Sequence, residues 1–180
     1  MKKSIGFLLL SILTLPAISL ADNKDVSLED KTKAAFIYNF TKYIQWPDDT
    51  LKTFSIDIIG DSKILFPLRE IEKKKKVDNR KIKIGHYHDI SDLDTCHILF
   101  ISKSEENKLP EILDSIGTRK ILTIGDTEGF AEKGVAINFK IVKGKIRFEI
   151  NSDVLDDLKL QVSSQLLKLA IFVEGKKRDG

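Results

Sequence analysis

Three short apolar runs, separated by segments with helical periodicity, constrain the fold of this chain more than any other feature. They are FSIDII (54–59), CHILFI (96–101) and ILTI (121–124). Apolar runs of this length that end at a turn are typical of strands buried in a parallel sheet. Apolar residues recur at helical spacing in the intervening segments 64–71 and 110–116. Strands that alternate with helices predict right-handed crossovers and a sheet covered by helices on both faces.

Antiparallel pairing is predicted near the C-terminus. Residues 135–142 and 145–150 form two further strand patterns, joined only by the dipeptide Lys143-Gly144. A two-residue connection requires such strands to pair as an antiparallel hairpin. Residues 81–87 alternate apolar and charged side chains and predict an edge strand. The predicted fold is therefore a three-layer α/β architecture, with a mostly parallel central sheet, flanking helices and a C-terminal antiparallel hairpin.

Two helices are predicted after the hairpin. Asn151 is a suitable N-cap for the first of them. The second covers QLLKLAIFV (165–173), with Ser163 or Ser164 as its cap. Apolar residues occur on nearly every side of this segment, so we expect a buried helix.

An aromatic helix is predicted in KAAFIYNFTKYIQWP (33–47), which contains the densest group of aromatic residues in the chain. Ser27 and Asp30 have the spacing of a capping pair before it. Pro47 disfavours helical backbone at the residue before it, so we expect the helix to reach about Trp46. The Trp46 ring would then close an edge of the core or face a partner.

The first 21 residues have the features of a cleaved secretory signal peptide. Lys2 and Lys3 precede an apolar stretch at 5–18, and Ser19-Leu20-Ala21 is a small-x-small cleavage site. Cleavage after Ala21 would export the protein and leave residues 22–180, a suitable length for a single domain.

Charge and cysteine content restrict the function of the exported chain. Loss of Lys2 and Lys3 lowers the formal net charge from +3 to +1, which argues against nucleic acid or another polyanion as the partner. Cys96 is the only cysteine in the sequence, so no internal disulfide can form.

No residue pattern predicts a catalytic, cofactor or metal site. Cys96 and His97 are neighbours on a strand and point to opposite faces, so they cannot act as a thiol and its base. His86 and His88 share one face, but no third metal ligand has a fitting spacing. A phosphate loop, a nucleophile elbow and a dinucleotide fingerprint are all missing from the sequence.

A ligand crevice is one possible site, at Gly60, Asp61, Ser102 and Lys103. These residues follow two predicted parallel strands, at the edge where open α/β sheets bind ligands. Gly125-Asp126 ends a third strand, and Asp126 could line the same crevice as Asp61. The alternative is that the glycines only form turns. A receiver domain is excluded, because Ser102 and Lys103 stand where its phospho-acceptor aspartate would be.

A partner-binding surface is the other possible site, at Tyr38, Asn39, Lys42 and Trp46. Aromatic and amide groups exposed on a rigid helix suit protein recognition. The alternative is that the aromatic rings belong to the core and the polar groups face solvent. The sequence leaves both possibilities open.

Six segments together resemble the YfiR-like family of exported bacterial proteins. In chain order they are KAAFIYNFTKYIQWP, FSIDIIGD, CHILFIS, ILTIGDTEGFAEKGVAINF, IRFEIN and LKLQVSSQLLKLA. The resemblance implies a periplasmic α/β protein without enzymatic activity. It further implies that the protein represses an inner-membrane diguanylate cyclase by binding its periplasmic sensory region, which lowers cyclic di-GMP and affects biofilm formation. A homodimer and an outer-membrane lipoprotein partner are also implied.

One departure from the family pattern concerns Cys96. The cysteine of CHILFI often has a disulfide partner in the better-known members, and this chain has no second cysteine. Control through an intramolecular disulfide is therefore excluded here. The receptor alternative, a periplasmic small-molecule sensor with its ligand in the crevice at Gly60 and Asp61, stays open at this point.

Overall fold

The computed structural model describes residues 26–47 and 49–176, so the predicted signal peptide and residues 177–180 of the charged tail lie outside the described residues. No helix within these two ranges is both long and apolar enough to cross a membrane. The α-helices are Leu28–Phe40 (α1), Leu65–Lys74 (α2), Leu109–Ile116 (α3), Ser152–Asp157 (α4) and Ser164–Leu167 (α5), and Ile90–Asp92 and Lys103–Lys108 are 3-10 helices. The strands are Ile44–Gln45 (β1), Thr53–Ile59 (β2), Lys76–Val77 (β3), Arg80–Tyr87 (β4), Ile98–Ile101 (β5), Leu122–Gly125 (β6), Ile137–Val142 (β7), Lys145–Asn151 (β8), Gln161–Val162 (β9) and Ile171–Val173 (β10).

The central sheet has the order β3-β4-β2-β5-β6-β7-β8-β10 within the described residues. Strands β4, β2, β5, β6 and β7 run parallel to one another. Strand β8 pairs antiparallel with β7. The turn between them consists of Lys143 and Gly144, and both residues have positive φ angles. The predicted fold class is confirmed, including the central position of CHILFI as β5.

Helices cover both faces of this sheet, so the protein has two hydrophobic cores. Side chains alternate along β2, and Phe54, Ile56 and Ile58 pack on the side of α1 and α2. Ile59, Leu99 and Ile101 pack on the opposite side, with α3. This alternation follows from the pleat of the strands. The two cores explain why these strands carry apolar side chains on both faces.

Helix α1 is shorter than predicted and does not reach Trp46. Its N-terminus has the expected capping box, in which Ser27 and Asp30 each accept a hydrogen bond from the other's backbone N–H. The helix ends at Phe40, and the chain turns into β1, which pairs antiparallel with β9. The Ser163 amide also donates to the Tyr43 carbonyl at 2.8 Å. Pairing with a distant segment therefore competes with the last turns of the predicted helix.

The C-terminal segment also differs from its prediction. Only α5 is helical, with Ser163 as its N-cap, and Ile171–Val173 adds to the sheet as β10, parallel to β8. The buried helix predicted over 165–173 was wrong, because Leu169 is 59% exposed and Phe172 is 55% exposed. Residues with β-branched and aromatic side chains suit strands, and β8 offered unpaired backbone groups at its outer edge.

The predicted edge position of β4 needs a small correction. A two-residue strand, β3, forms a hairpin with the start of β4 and is the edge strand of the sheet. Further along β4, α2 protects the outer side: Glu72 accepts from the Ile84 amide at 3.0 Å, and Arg69 donates to the Ile84 carbonyl at 2.6 Å. Charged side chains therefore occupy the backbone groups that another strand would need.

Candidate functional site

A groove of about 520 Å³ lies where α1 ends and β2 and β4 begin. The turn after α1 contributes Lys42, and the segment after β1 contributes Trp46. Strands β2 and β4 contribute Phe54 and Arg80 at their N-terminal ends. The groove therefore combines aromatic rings with two cationic side chains and the carboxylates of Asp49 and Asp78.

Trp46 is half-buried and packs edge-on against two rings. Its centroid lies 5.1 Å from that of Phe54 and 5.8 Å from that of His97, with interplanar angles of 82° and 75°. Its Nε1 is buried and finds no hydrogen-bond acceptor among the described residues. An unsatisfied buried donor costs about 1–3 kcal/mol, so a ligand or partner that supplied an acceptor would gain binding energy here.

Beneath Trp46, a buried hydrogen-bond network fixes the rings. The Ser55 amide donates to His97 Nδ1 at 3.1 Å, so the proton of the neutral ring is on Nε2, which lies 2.8 Å from Asp49 Oδ2. Arg80 also donates to Asp49. Burial lowers the pKa of His97, although Asp49 opposes this shift. Burial opposes ionisation of Asp49, but Arg80, the Leu51 amide and His97 outweigh it and lower its pKa to about 2.

Ser55, His97 and Asp49 together have the residue types of a hydrolytic triad, because the Ser55 hydroxyl lies 3.1 Å from His97 Nδ1. Their wide separation in the sequence gave no pattern from which this group could be predicted. The single Nδ1 lone pair already accepts the backbone N–H, and Ser55 is only 8% exposed. A general base needs a free lone pair and a reachable nucleophile. The geometry instead suits a structural role, in which Ser55 and Asp49 fix the His97 ring against which Trp46 packs.

The residues predicted to bind a partner fall into two adjoining groups. Lys42 Nζ lies 3.1 Å from Asn39 Oδ1 and 4.9 Å from the Tyr38 ring centroid. Asn39 and Lys42 are exposed, whereas Tyr38 is half-buried and donates to the Lys76 carbonyl at 3.3 Å. The prediction that the helix carries all four residues was wrong: α1 ends at Phe40, so only Tyr38 and Asn39 lie on it, and Lys42 and Trp46 follow it. Lys42 connects the two groups, since it lines the Trp46 groove.

The residues of the predicted crevice do come together at the ends of β2 and β5, but side chains fill the space between them. The Asp61 amide donates to Ser104 Oγ at 2.9 Å, and the Ser102 and Ser104 hydroxyls lie 2.7 Å apart. A Cβ atom added to Gly60 would lie 2.3 Å from each hydroxyl. Lys103 is exposed. The loops after β2 and β5 are therefore packed against each other.

Asp126 belongs to a different part of the surface. Its carboxylate pairs with Lys33 at 2.8 Å and borders a cleft of about 260 Å³ whose lining does not include Asp61. Burial tends to lower the pKa of Lys33, but the hydrogen bonds to Asp126 and Glu29 outweigh it and raise that pKa. The ion pair holds α1 to the end of β6.

Cys96 and His97 point to opposite faces, as predicted. Cys96 is a free thiol packed in the core on the α3 side, where burial raises its pKa well above the ordinary value. A buried thiol with a raised pKa is a poor nucleophile. His86 and His88 share a face as expected, and the structure places Asp61 beside them, a third metal-ligating side chain that sequence spacing did not reveal.

A family model described as YfiR/HmsC-like matches residues 30–171. This range begins in α1 and ends at the first residue of β10, so it includes the other seven strands of the central sheet in full. No curated protein matches the sequence. The chain therefore belongs to the YfiR/HmsC-like family, whose members are periplasmic regulators of diguanylate cyclase signalling.

Proposed function

We propose that this protein binds the periplasmic sensory region of an inner-membrane diguanylate cyclase and represses the enzyme, which lowers cyclic di-GMP. The observation that carries the proposal is the family match over residues 30–171. In this mechanism the protein changes no covalent bond. It binds one conformation of the sensory region more tightly than the others and so stabilises that conformation.

The surface proposed for the cyclase comprises Tyr38, Asn39, Lys42 and Trp46. Asn39 and Lys42 are exposed, and Lys42 adjoins the groove in which Trp46 is half-buried. Aromatic residues at the centre of an interface contribute much of the binding energy when a polar rim excludes water. The unpaired Trp46 Nε1 adds a donor that an acceptor on the cyclase would satisfy.

The first test is genetic. Deleting the gene should raise cellular cyclic di-GMP in a strain whose neighbouring gene encodes a membrane diguanylate cyclase, and the wild-type gene should restore the lower level. Unchanged cyclic di-GMP in the deletion strain would contradict repression.

The second test concerns the surface. Lys42→Ala and Trp46→Phe should each weaken capture of the cyclase's periplasmic region at unchanged thermal stability, because Lys42 is exposed and the phenyl ring retains much of the packing. Lys31→Ala, which removes an exposed lysine within α1, away from the groove, is the matched control. Equal capture by all three variants would place the interface elsewhere on the protein.

We further propose a homodimer and release of the cyclase by an outer-membrane lipoprotein, the partner that the family resemblance implies. Release requires the lipoprotein to bind one state of the protein more tightly than the other. Co-purification of a lipoprotein under conditions that raise cyclic di-GMP would test this part of the proposal.

A small-molecule receptor is the second candidate function, and the Trp46 groove favours it. The groove has a volume suited to a small ligand, and the exposed Lys42 is available for an anionic group, whereas Arg80 is already paired with Asp49. A ligand bound there would raise the melting temperature of the wild-type protein. Trp46→Phe should reduce that rise, and no stabilisation across a metabolite panel would remove this candidate.

A further inference from the structure

Three metal-ligating side chains converge where β2 and β4 end. Asp61, His86 and His88 place one ligand atom each within 4.8 Å of the others. The parallel pairing of Ile59 with Tyr87 brings the ends of the two strands to the same edge. His86 lies in β4 and His88 is the first residue after it, and both side chains face Asp61.

The backbone orients the His86 ring. Its Nε2 lies 3.0 Å from the Gly60 carbonyl oxygen. A carbonyl can only accept, so Nε2 carries the proton and the Nδ1 lone pair is available to a metal ion. Metal-binding histidines usually have this arrangement, in which the second ring nitrogen donates to a carbonyl or carboxylate. Gly60 has a left-handed conformation, with φ +80°, and packs beside the Ser102 and Ser104 hydroxyls, which leave no room for a Cβ atom.

The other two ligands are exposed and separated by a suitable distance. His88 Nδ1 lies 4.0 Å from Asp61 Oδ1, too far for a hydrogen bond, and the side chains are 73% and 83% exposed. The two imidazole rings lie 4.7 Å apart at 62°. Ligand atoms bound to one tetrahedral zinc ion, with bonds of about 2.0–2.2 Å, lie roughly 3.3 Å from one another. A small rotation of exposed side chains would therefore complete the geometry.

We propose that Asp61, His86 and His88 bind a divalent transition-metal ion of the zinc class, with water in the fourth position. Two imidazoles and one carboxylate suit zinc, whereas calcium and magnesium prefer oxygen ligands alone. The bound ion fastens the loop after β2 to the end of β4. An open fourth position is typical of sites that exchange a ligand, so the ion can also accept a donor from another molecule.

This site is separate from the proposed cyclase surface. The Trp46 groove includes Phe54 and Arg80 at the beginnings of β2 and β4, whereas the metal ligands lie at the ends of these strands. Six residues of extended strand, from Phe54 to Ile59, are separated by five steps that together span roughly 16 Å. Metal binding can therefore be measured and altered without changing the groove.

The test uses the purified protein and titrates it with zinc by calorimetry and with cobalt by visible absorption. We expect one equivalent of zinc, a higher melting temperature in its presence, and the absorption bands of tetrahedral cobalt. His88→Ala and Asp61→Asn should each weaken zinc binding by about tenfold or more. Asp89→Asn changes a neighbouring exposed carboxylate and should leave binding unchanged.

The third histidine of the chain, His97, and the free Cys96 are buried and serve as internal checks. Zinc binding that persists in a His86→Ala/His88→Ala double variant would overturn the proposal, as would the absence of any stoichiometric binding to the wild type. Circular dichroism of each variant confirms that lost binding does not arise from unfolding.

Discussion

At the scale of single residues, the pKa values of the buried Asp57 and the half-buried Asp49 shift in opposite directions. Burial raises the pKa of Asp57 from 3.8 to about 6, against the Gly85 amide and the nearby Lys83 and Arg69. The pKa of Asp49 is lowered to about 2 by the hydrogen bonds that it accepts from Arg80, the Leu51 amide and His97. One carboxylate therefore destabilises the folded state at neutral pH, and the other stabilises it.

Asp57→Asn should stabilise the protein at pH 7.5 by about 1–3 kcal/mol, because the amide removes a buried charge and its oxygen can still accept from the Gly85 amide. The folded-state pKa is raised, so the wild-type carboxylate costs stability above pH 6, and the cost disappears as the pH falls from 6 to below 3.8. Urea unfolding at pH 7.5 and pH 4 measures the difference. An equal gain at both values would contradict a charge effect.

Asp49→Asn should destabilise the protein by about 1–3 kcal/mol, since Arg80 and His97 both lose a charged acceptor. The folded-state pKa of Asp49 is lowered, so its contribution is complete above pH 3.8 and is lost as the pH falls towards 2. Asp78, which also faces Arg80 but is 82% exposed, provides the control. Asp78→Asn should change the free energy of unfolding by less than about 0.5 kcal/mol, and equal effects of the two variants would argue against the network.

At the scale of elements, α5 and β10 show how one apolar segment is divided between the core and the surface. Leu166 in α5 is 3% exposed, whereas Leu169, only three residues later, is 59% exposed. The chain leaves the helix after Leu167 and becomes the outermost strand. The two leucines would lie on the same stripe of a continuous helix, so they distinguish the two arrangements.

Leu166→Ala should cost about 2–5 kcal/mol of unfolding free energy, because it removes buried methyl groups and leaves a cavity. Leu169→Ala should change it by less than about 0.5 kcal/mol. Thermal or urea unfolding of both variants is the measurement. A similar large loss in both would indicate the continuous buried helix that the sequence favoured.

At the scale of the whole molecule, the two edges of the sheet are unlike. The β3/β4 edge is rich in lysine and is covered by Glu72 and Arg69. The β10 edge has no further strand among the described residues, and Ile171 and Phe172 are 38% and 55% exposed on it. An exposed apolar edge is a ready template for pairing with a second chain.

The proposed homodimer is therefore expected to form through β10, with the edges of two copies related by a two-fold axis. Phe172→Lys should convert the dimer to a monomer in light scattering. Ile141→Lys, at a similarly exposed apolar position on β7, should not. A wild-type monomer, or dimers that survive Phe172→Lys, would exclude this interface.

Sequence alone determined the elements whose signals are local and strong. The apolar runs at 54–59, 96–101 and 121–124 became β2, β5 and β6, and Lys143-Gly144 formed the hairpin turn. Burial on both faces leaves a continuous apolar run, and a two-residue turn permits only antiparallel pairing. The order of these elements was sufficient to predict the fold class.

Only the tertiary structure decided the features that depend on contacts between distant segments. Because β1 pairs with β9, α1 ends before Trp46. Because the outer edge of β8 is free, Ile171–Val173 pairs with it as a strand and does not continue the helix. Asp49 reached His97, and Asp61 reached His86 and His88, although sequence spacing linked neither carboxylate to its histidines. Periodicity reports which side of an element is apolar, whereas the partner of a polar side chain depends on how the whole chain packs.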